Sequence, residues 1–75
     1  MYATLLEQYR QEGIRNITIL ISGPNQIPGA EAYIQASRGR GRSNITIEKA
    51  REYPVETGVT GKRRNRKAVI AYFHP

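Results

Sequence analysis

The spacing of apolar and polar positions along the first half of the chain predicts a helix followed by a strand. The helical stripe is made of Tyr2, Leu5, Leu6 and Tyr9, and it precedes a terminating Gly13. Residues 16–21 are dense in β-branched side chains and close on the breaker Ser22-Gly23-Pro24-Asn25. Because both faces of this strand are mostly apolar, we expect it to lie in the centre of a sheet.

A second, short helix is predicted after this breaker. Pro28 suits the first turn of a helix. The helical spacing then recurs at Ala30, Tyr33, Ile34 and Ser37. Two glycines and three arginines follow at 38–42, which predicts a solvent-facing loop.

The second half of the chain predicts two strands joined by a basic turn. Apolar side chains take the odd positions Ile45, Ile47, Tyr53, Val55 and Val59. This period of two predicts a strand with one wet face, bent near Ala50 or at Pro54. Residues 58–67 are predicted to be a basic turn, and residues 67–73 a last strand that pairs back as a β-hairpin. We therefore expect a single α+β domain over residues 1–75, ordered helix-strand-helix-strand-strand.

A helix over residues 46–53 is a competing interpretation. Glu48, Glu52 and Glu56 are four residues apart, as on one helix face. Residues 41–50 then resemble the turn and recognition helix of winged helix-turn-helix regulators, with the basic hairpin as the wing. Arg42 stands where those regulators usually carry an apolar residue. The secondary structure of residues 44–53 decides between the two interpretations.

The positive charge is confined to the second half of the chain. Twelve Lys and Arg against six acidic residues give a net charge of +6. Residues 1–37 hold two basic and three acidic side chains, a sum of −1, whereas residues 38–75 hold ten and three, a sum of +7. Solubility requires charge but not its segregation, so this asymmetry favours a polyanionic partner.

Two short clusters contain most of these cations and are the predicted nucleic-acid-binding residues. The first alternates with glycine, which lets the backbone approach a phosphodiester chain while the guanidinium groups contact it. The second lies at the predicted hairpin, which has the shape of an arm that fits a groove. The clusters consist of Arg38, Arg40 and Arg42, and of Lys62, Arg63, Arg64, Arg66 and Lys67.

Other functions find little support in the composition. Without Asp or Cys, and with His74 as the one histidine, no catalytic set, metal site or cofactor site is expected. No apolar run approaches the roughly 20 residues of a membrane span. The first residues do not have the pattern of a signal peptide, so we expect a cytoplasmic protein.

Two further features bear on the function. Tyr53 and Tyr72 are candidates for stacking on bases, whereas Tyr2, Tyr9 and Tyr33 are expected in the core. The tetrapeptide Asn-Ile-Thr-Ile occurs at 16–19 and again at 44–47. A duplicated strand-helix unit would explain this repeat, and so would the frequency of Asn-Ile-Thr at strand starts.

Residues 2–73 resemble the Alba-like nucleic-acid-binding domains. The resemblance lies in Glu12 to Ile19, in Gly23, in Ile27 and Ala30, and in the closing basic hairpin. It implies that the hairpin, residues 60–67, contacts DNA or RNA and that the protein forms homodimers. Two departures are the absence of a first strand and Ser22 to Asn25 in place of a basic Arg-Gly-Arg. Residues 13–24 are also similar to a platform protein of the small ribosomal subunit.

Two hypotheses follow. The first is a small protein, expected to form a homodimer, that binds the phosphates of DNA or RNA through the 38–42 loop and the 62–67 hairpin. The second is an interaction protein, such as a phage- or plasmid-type inhibitor, that docks an acidic host protein. A winged-helix transcriptional regulator is the variant linked to a helix over residues 46–53.

Overall fold

Two helices and a four-stranded sheet make up the fold. The computed structural model describes residues 4–37, 43–50 and 59–72. The α+β class predicted from the sequence is confirmed. The elements are α1 (Leu5–Gln11), β1 (Asn16–Ile21), a short 3₁₀ turn (Pro24–Gln26), α2 (Ile27–Ala36), β2 (Asn44–Lys49), β3 (Val59–Arg64) and β4 (Lys67–Tyr72).

The sheet has the strand order β2-β1-β4-β3. β1 runs parallel to both of its neighbours, and β3 is antiparallel to β4. Ile17, Ile19 and Ile21 of β1 are buried, which confirms the central position predicted for this strand. The core between the helices and one face of the sheet contains Leu6, Tyr9, Ile14, Ile17, Ile19, Ile21, Ala30, Ala68 and Ile70.

Helix α1 is short and depends on contacts with the rest of the fold. Thr4 caps it, accepting a hydrogen bond from the Glu7 amide at 3.1 Å. Gly13 has a φ of +81°, a conformation that glycine adopts without steric cost, and it ends the helical segment. Seven residues do not make a stable helix alone, so burial of Leu6 and Tyr9 against the sheet must stabilise α1.

Residues 44–49 form a strand and not a helix. The helical interpretation is therefore wrong for residues 46–49. Residues 51–53, at the other end of that predicted helix, lie outside the described residues. Asn44, Thr46 and Glu48 are exposed and Ile45 and Ile47 are half-buried, which is the predicted alternation. Pairing with β1 explains why residues 44–49 form a strand, because a β-branched segment gains a ladder of hydrogen bonds beside a central strand.

The hairpin exists, but its turn is much shorter than predicted. The sequence predicts a turn over residues 58–67, whereas residues 59–64 form β3 and only Asn65 and Arg66 connect it to β4. β3 is also not a continuation of β2, since the two strands occupy opposite edges of the sheet. An edge strand tolerates a basic, glycine-containing sequence because one side of it faces solvent. The predicted loop at 38–42 and the predicted bend at Pro54 lie outside the described residues.

Both helices cover the same face of the sheet. The opposite face carries no helix among the described residues, and we call it the open face. Within those residues no helix has the length and apolar character needed to cross a membrane. The side chains of the open face, assigned by strand alternation and register, are Asn16, Thr18, Leu20, Asn44, Thr46, Glu48, Lys62, Arg64, Lys67, Val69 and Ala71.

Candidate nucleic-acid interface

The hairpin turn lies against the start of β1. The Arg66 carbonyl accepts hydrogen bonds from the Arg15 amide at 3.2 Å and from the Asn16 amide at 3.4 Å. The Arg15 carbonyl in turn accepts from the Asn44 amide at 2.7 Å. The turn is therefore held against the body of the sheet and does not project as the separate arm that the sequence predicted. We call this end, with Arg15, Arg64, Arg66 and Lys67, the basic end.

Strand alternation divides the predicted hairpin cluster between two faces. Arg63 lies opposite Ala68, a buried residue of the helix-covered face. Lys62 lies opposite Val69, and Arg64 lies opposite Lys67, so these side chains belong to the open face. Successive residues of a strand point to opposite sides, and five cations in six residues therefore do not form one patch.

Arg63 has an intramolecular partner. Its guanidinium forms an ion pair with the Glu12 carboxylate, which lies at the C-terminal cap of α1. A cation at this position also interacts favourably with the negative end of the helix dipole. The pair ties the end of β3 to α1, so Arg63 has a structural partner that the other hairpin cations lack among the contacts that the structure gives.

Arg64 and Lys67 are cross-strand neighbours directly beside the turn. Like charges at directly opposite positions destabilise a hairpin. Between them Asn65 and Arg66 have φ values of 51° and 61°. A two-residue turn of this kind needs positive φ at both positions, for which Asn is suited and Arg is not. The segment thus combines electrostatic repulsion with local backbone strain.

The arginines predicted at 38–42 lie outside the described residues, but the residues on either side of them are described. Ser37 ends α2, and its hydroxyl accepts a hydrogen bond from Arg10 Nη1 at 2.9 Å. Ser43 Oγ donates to the Ile14 carbonyl at 2.5 Å, one residue before Arg15. The residue that follows Arg42 is therefore attached to the basic end.

Three residues that the sequence did not point to also lie at this end, namely Arg15, Asn16 and Asn44. The two asparagines are exposed register partners, and Asn44 Nδ2 donates to Asn16 Oδ1 at 3.5 Å. The available signal was the repeated Asn-Ile-Thr-Ile, because two parallel strands in register bring equivalent positions side by side. Without the pairing, the repeat did not indicate that its two copies are adjacent.

Tyr72 does not lie on the open face. It lies opposite Ile21 on the helix-covered side and packs against Tyr33, with ring centroids 5.8 Å apart. The expectation that Tyr72 stacks on bases is therefore wrong for an open strand face. Tyr9 is buried as expected, whereas Tyr2 and Tyr53 lie outside the described residues.

Two surface depressions differ in charge. One of about 470 Å³ beside the turn is lined by Lys62, Arg63, Arg64, Asn65, Lys67 and Val69. The other, of about 570 Å³ between the helices, includes Glu7 and otherwise uncharged residues such as Tyr33 and Val59. A polyanion suits the first and not the second.

The described part of the chain was also compared with the arrangement that a metal site requires. Within that part, no three His, Cys, Asp or Glu side chains lie close enough together to hold a metal ion. Comparison of the chain with protein-family models, with curated proteins and with solved structures found no match.

Proposed function

We propose that the protein binds nucleic acid through its phosphates at the basic end and the adjoining open face. The proposed contacts are Arg15, Lys62, Arg64, Arg66 and Lys67, together with the arginines of the 38–42 segment. Arg63 is left out because it is paired with Glu12. Homodimer formation stays a prediction, and the proposed contacts do not depend on it.

The observation that carries this proposal is the opposed pair Arg64 and Lys67 beside Arg66. Two cations at directly opposite positions repel each other, with Cβ atoms about 5 Å apart. A phosphate between them replaces this repulsion with two attractive, charge-assisted contacts. A site that is destabilised when empty and stabilised by an anion is suited to binding a polyanion.

The position of Arg66 supports the same function. An arginine at φ 61° is strained, where glycine would be accommodated without cost. Strained residues of this kind concentrate at functional sites. Arg66 is exposed at the tip of the turn, and its backbone is held in place by the hydrogen bonds that its carbonyl accepts from the Arg15 and Asn16 amides.

Substitution of Arg64, Arg66 and Lys67 with alanine tests the proposal. Binding of the full chain to labelled DNA and RNA is measured by fluorescence anisotropy over a series of salt concentrations. Neutralisation of five phosphates by the five proposed cations that the structure describes gives a log-log slope of about −4.5 on duplexes and about −3.5 on single strands. The triple variant should bind at least about tenfold more weakly at low salt, and its slope should fall by about 2.7 units on duplexes and about 2.1 on single strands.

A variant that loses the same charge at the other end of the sheet is the matched control. Asn25→Asp with Lys49→Glu also lowers the net charge by three units, at exposed positions after β1 and at the end of β2. It should reduce binding much less than the triple variant. Equal losses in the two variants would mean that only the overall charge matters. Binding without salt dependence, or no binding to any nucleic acid at low salt, would refute the proposal and leave the acidic-protein hypothesis.

A further inference from the structure

We propose that the open face binds a single-stranded nucleic acid, with the sugar-phosphate backbone over β3 and β4 and the bases over β1 and β2. This inference rests on the proposed function and specifies the form of the nucleic acid. It adds Asn16, Asn44, Thr18 and Thr46 to the contact residues, all of which lie on the open face.

The register of the strands arranges the open face in rows. In the row nearest the turn, Arg64 and Lys67 are followed across the sheet by Asn16 and Asn44. In the next row, Lys62 and Val69 are followed by Thr18 and Thr46. The β3–β4 half therefore holds two cations in the first row and one cation with Val69 in the second, whereas neutral hydrogen-bonding side chains occupy the β1–β2 half of both rows.

This division matches the two sides of one nucleotide strand. Lys and Arg neutralise phosphates, whereas amides and hydroxyls hydrogen-bond to the edges of bases. Adjacent strands are about 4.8 Å apart, so the cations and the amides lie within the reach of one nucleotide, from phosphate to base. The open face thus places the two kinds of contact in the order in which a single strand presents its groups.

Asn16 and Asn44 are the residues best placed to contact bases. Both are exposed, and their amide groups lie 3.5 Å apart from Asn44 Nδ2 to Asn16 Oδ1. An asparagine amide offers a donor and an acceptor side by side, a pattern that pairs with adenine in two hydrogen bonds. Two adjacent amides can contact two neighbouring bases or both edges of one.

The width of the sheet favours a single strand over a duplex. Four strands span about 14 Å between the outer backbones, more than the roughly 12 Å width of the major groove. The open face is therefore too wide to enter the groove and contact base edges in a duplex. In a single strand the bases are turned outward and their edges are accessible.

Two other residues of the open face define the position of the strand. Val69 is 42% exposed and lies between Lys62 and Thr18, where an apolar side chain contacts a sugar or the face of a base. Glu48 lies at the far corner of the face, opposite Leu20, and repels phosphates from the β2 edge. Both favour a backbone that follows β3 and β4.

The test compares the affinity of the protein for single strands and for duplexes of equal length and sequence, as DNA and as RNA. We expect single strands to bind about tenfold more tightly than the duplexes, with adenine-rich strands preferred over strands of other composition. The DNA and RNA arms show whether the 2′-hydroxyl contributes. Duplexes that bind as tightly as single strands would overturn the inference while leaving the proposed function intact.

The variant Asn16→Ala with Asn44→Ala tests the predicted base contacts. It should lower affinity for single strands about tenfold and remove the preference for adenine, while the salt slope stays unchanged because no cation is lost. Gln8→Ala with Gln35→Ala is the matched control, since it removes two exposed amides from the helices. An unchanged affinity in the asparagine variant would refute the inference.

Thr18→Val with Thr46→Val provides a second variant in case the asparagine substitutions impair folding. Valine keeps the β-branched shape and removes only the hydroxyl groups. Its affinity for single strands should fall about threefold at an unchanged salt slope. If neither single strands nor duplexes bind to the unsubstituted protein, the proposed function fails as well. That result is distinguishable from a failure of the inference alone, in which the unsubstituted protein still binds nucleic acid.

Discussion

The two copies of Asn-Ile-Thr-Ile have the same sequence and the same conformation but different surroundings. The first begins β1 in the centre of the sheet, and the second begins β2 at its edge, directly beside the first in parallel register. Ile17 and Ile19 are 1% and 0% exposed, whereas Ile45 and Ile47 are half-buried. Position in the sheet, and not the local sequence, therefore decides how much each copy contributes to the core.

The polar positions of the two copies, unlike the apolar ones, have similar surroundings. Asn16 and Asn44 are both exposed, and Thr18 and Thr46 lie on the same open face. Neither copy alone presents more than one amide and one hydroxyl. Pairing in register places the two amides side by side and the two hydroxyl groups side by side. The edge copy therefore contributes to the candidate interface even though it contributes less to the core.

Substitution of Ile19 and Ile47 with alanine is expected to show the largest difference between the copies. Ile19→Ala leaves a cavity in the centre of the core and should cost about 3–4 kcal/mol of unfolding free energy. Ile47→Ala should cost about 1 kcal/mol, because its side chain is only half-buried. Urea unfolding followed by circular dichroism measures both. Equal losses would show that β2 is packed as tightly as β1.

Gly61→Ala tests whether an edge strand is tightly packed where a helix covers it. A Cβ atom at Gly61 would lie 2.6 Å from Leu5 Cδ2 and 2.7 Å from the Tyr9 hydroxyl. The side chains of α1 would have to move, and we expect a loss of about 1–2 kcal/mol in the same unfolding measurement. Edge position alone would predict little effect at this residue.

The double variant Leu5→Ala with Gly61→Ala is the control for this prediction. Removing the Leu5 side chain relieves one of the two close contacts of the new Cβ and leaves the contact with Tyr9, so the loss in the double variant should be smaller than the sum of the two single losses. Strict additivity would show that the loss in Gly61→Ala has a cause other than contact with Leu5.

Arg66→Gly changes the turn between the edge strand β3 and the interior strand β4. Of these variants, it is expected to change the unfolding free energy least. Glycine relieves the positive φ at this position, so the variant should be more stable by about 0.5–1 kcal/mol. Its affinity for nucleic acid should nevertheless fall, because one cation is lost. Thermal unfolding and fluorescence anisotropy measure the two effects.

Asn65→Gly separates backbone strain from charge. It changes the other positive-φ residue of the turn and leaves every cation in place, so its affinity should equal that of the unsubstituted protein. A loss of affinity in Asn65→Gly would attribute the effect of Arg66→Gly to the shape of the turn.

Most elements of the fold were predictable from local patterns. Periodicity and breakers predicted α1, β1, α2 and β4, because each has an apolar face with its own repeat. The end of the hairpin turn was not predictable in this way. Residues 62–64 are cationic and carry no apolar alternation, so their strand conformation depends on pairing with β4.

The candidate interface was predictable in part. The concentration of charge identified Lys62, Arg64, Arg66 and Lys67, whose exposure agrees with a surface role. Composition could not place Arg63 beside Glu12, because those residues are 51 positions apart in the chain. It also could not bring Arg15 to the turn, a contact that depends on backbone hydrogen bonds between separate elements.

By itself, the sequence determined that α1, β1, α2 and β4 form, that the positive charge lies in the second half, and that β1 is central. These properties follow from local periodicity and composition. The tertiary structure alone decided which strands pair, and thereby which side chains share a face. Because the side chains of a strand alternate between its faces, pairing and register separated Arg63 from Arg64 and brought Asn16 beside Asn44.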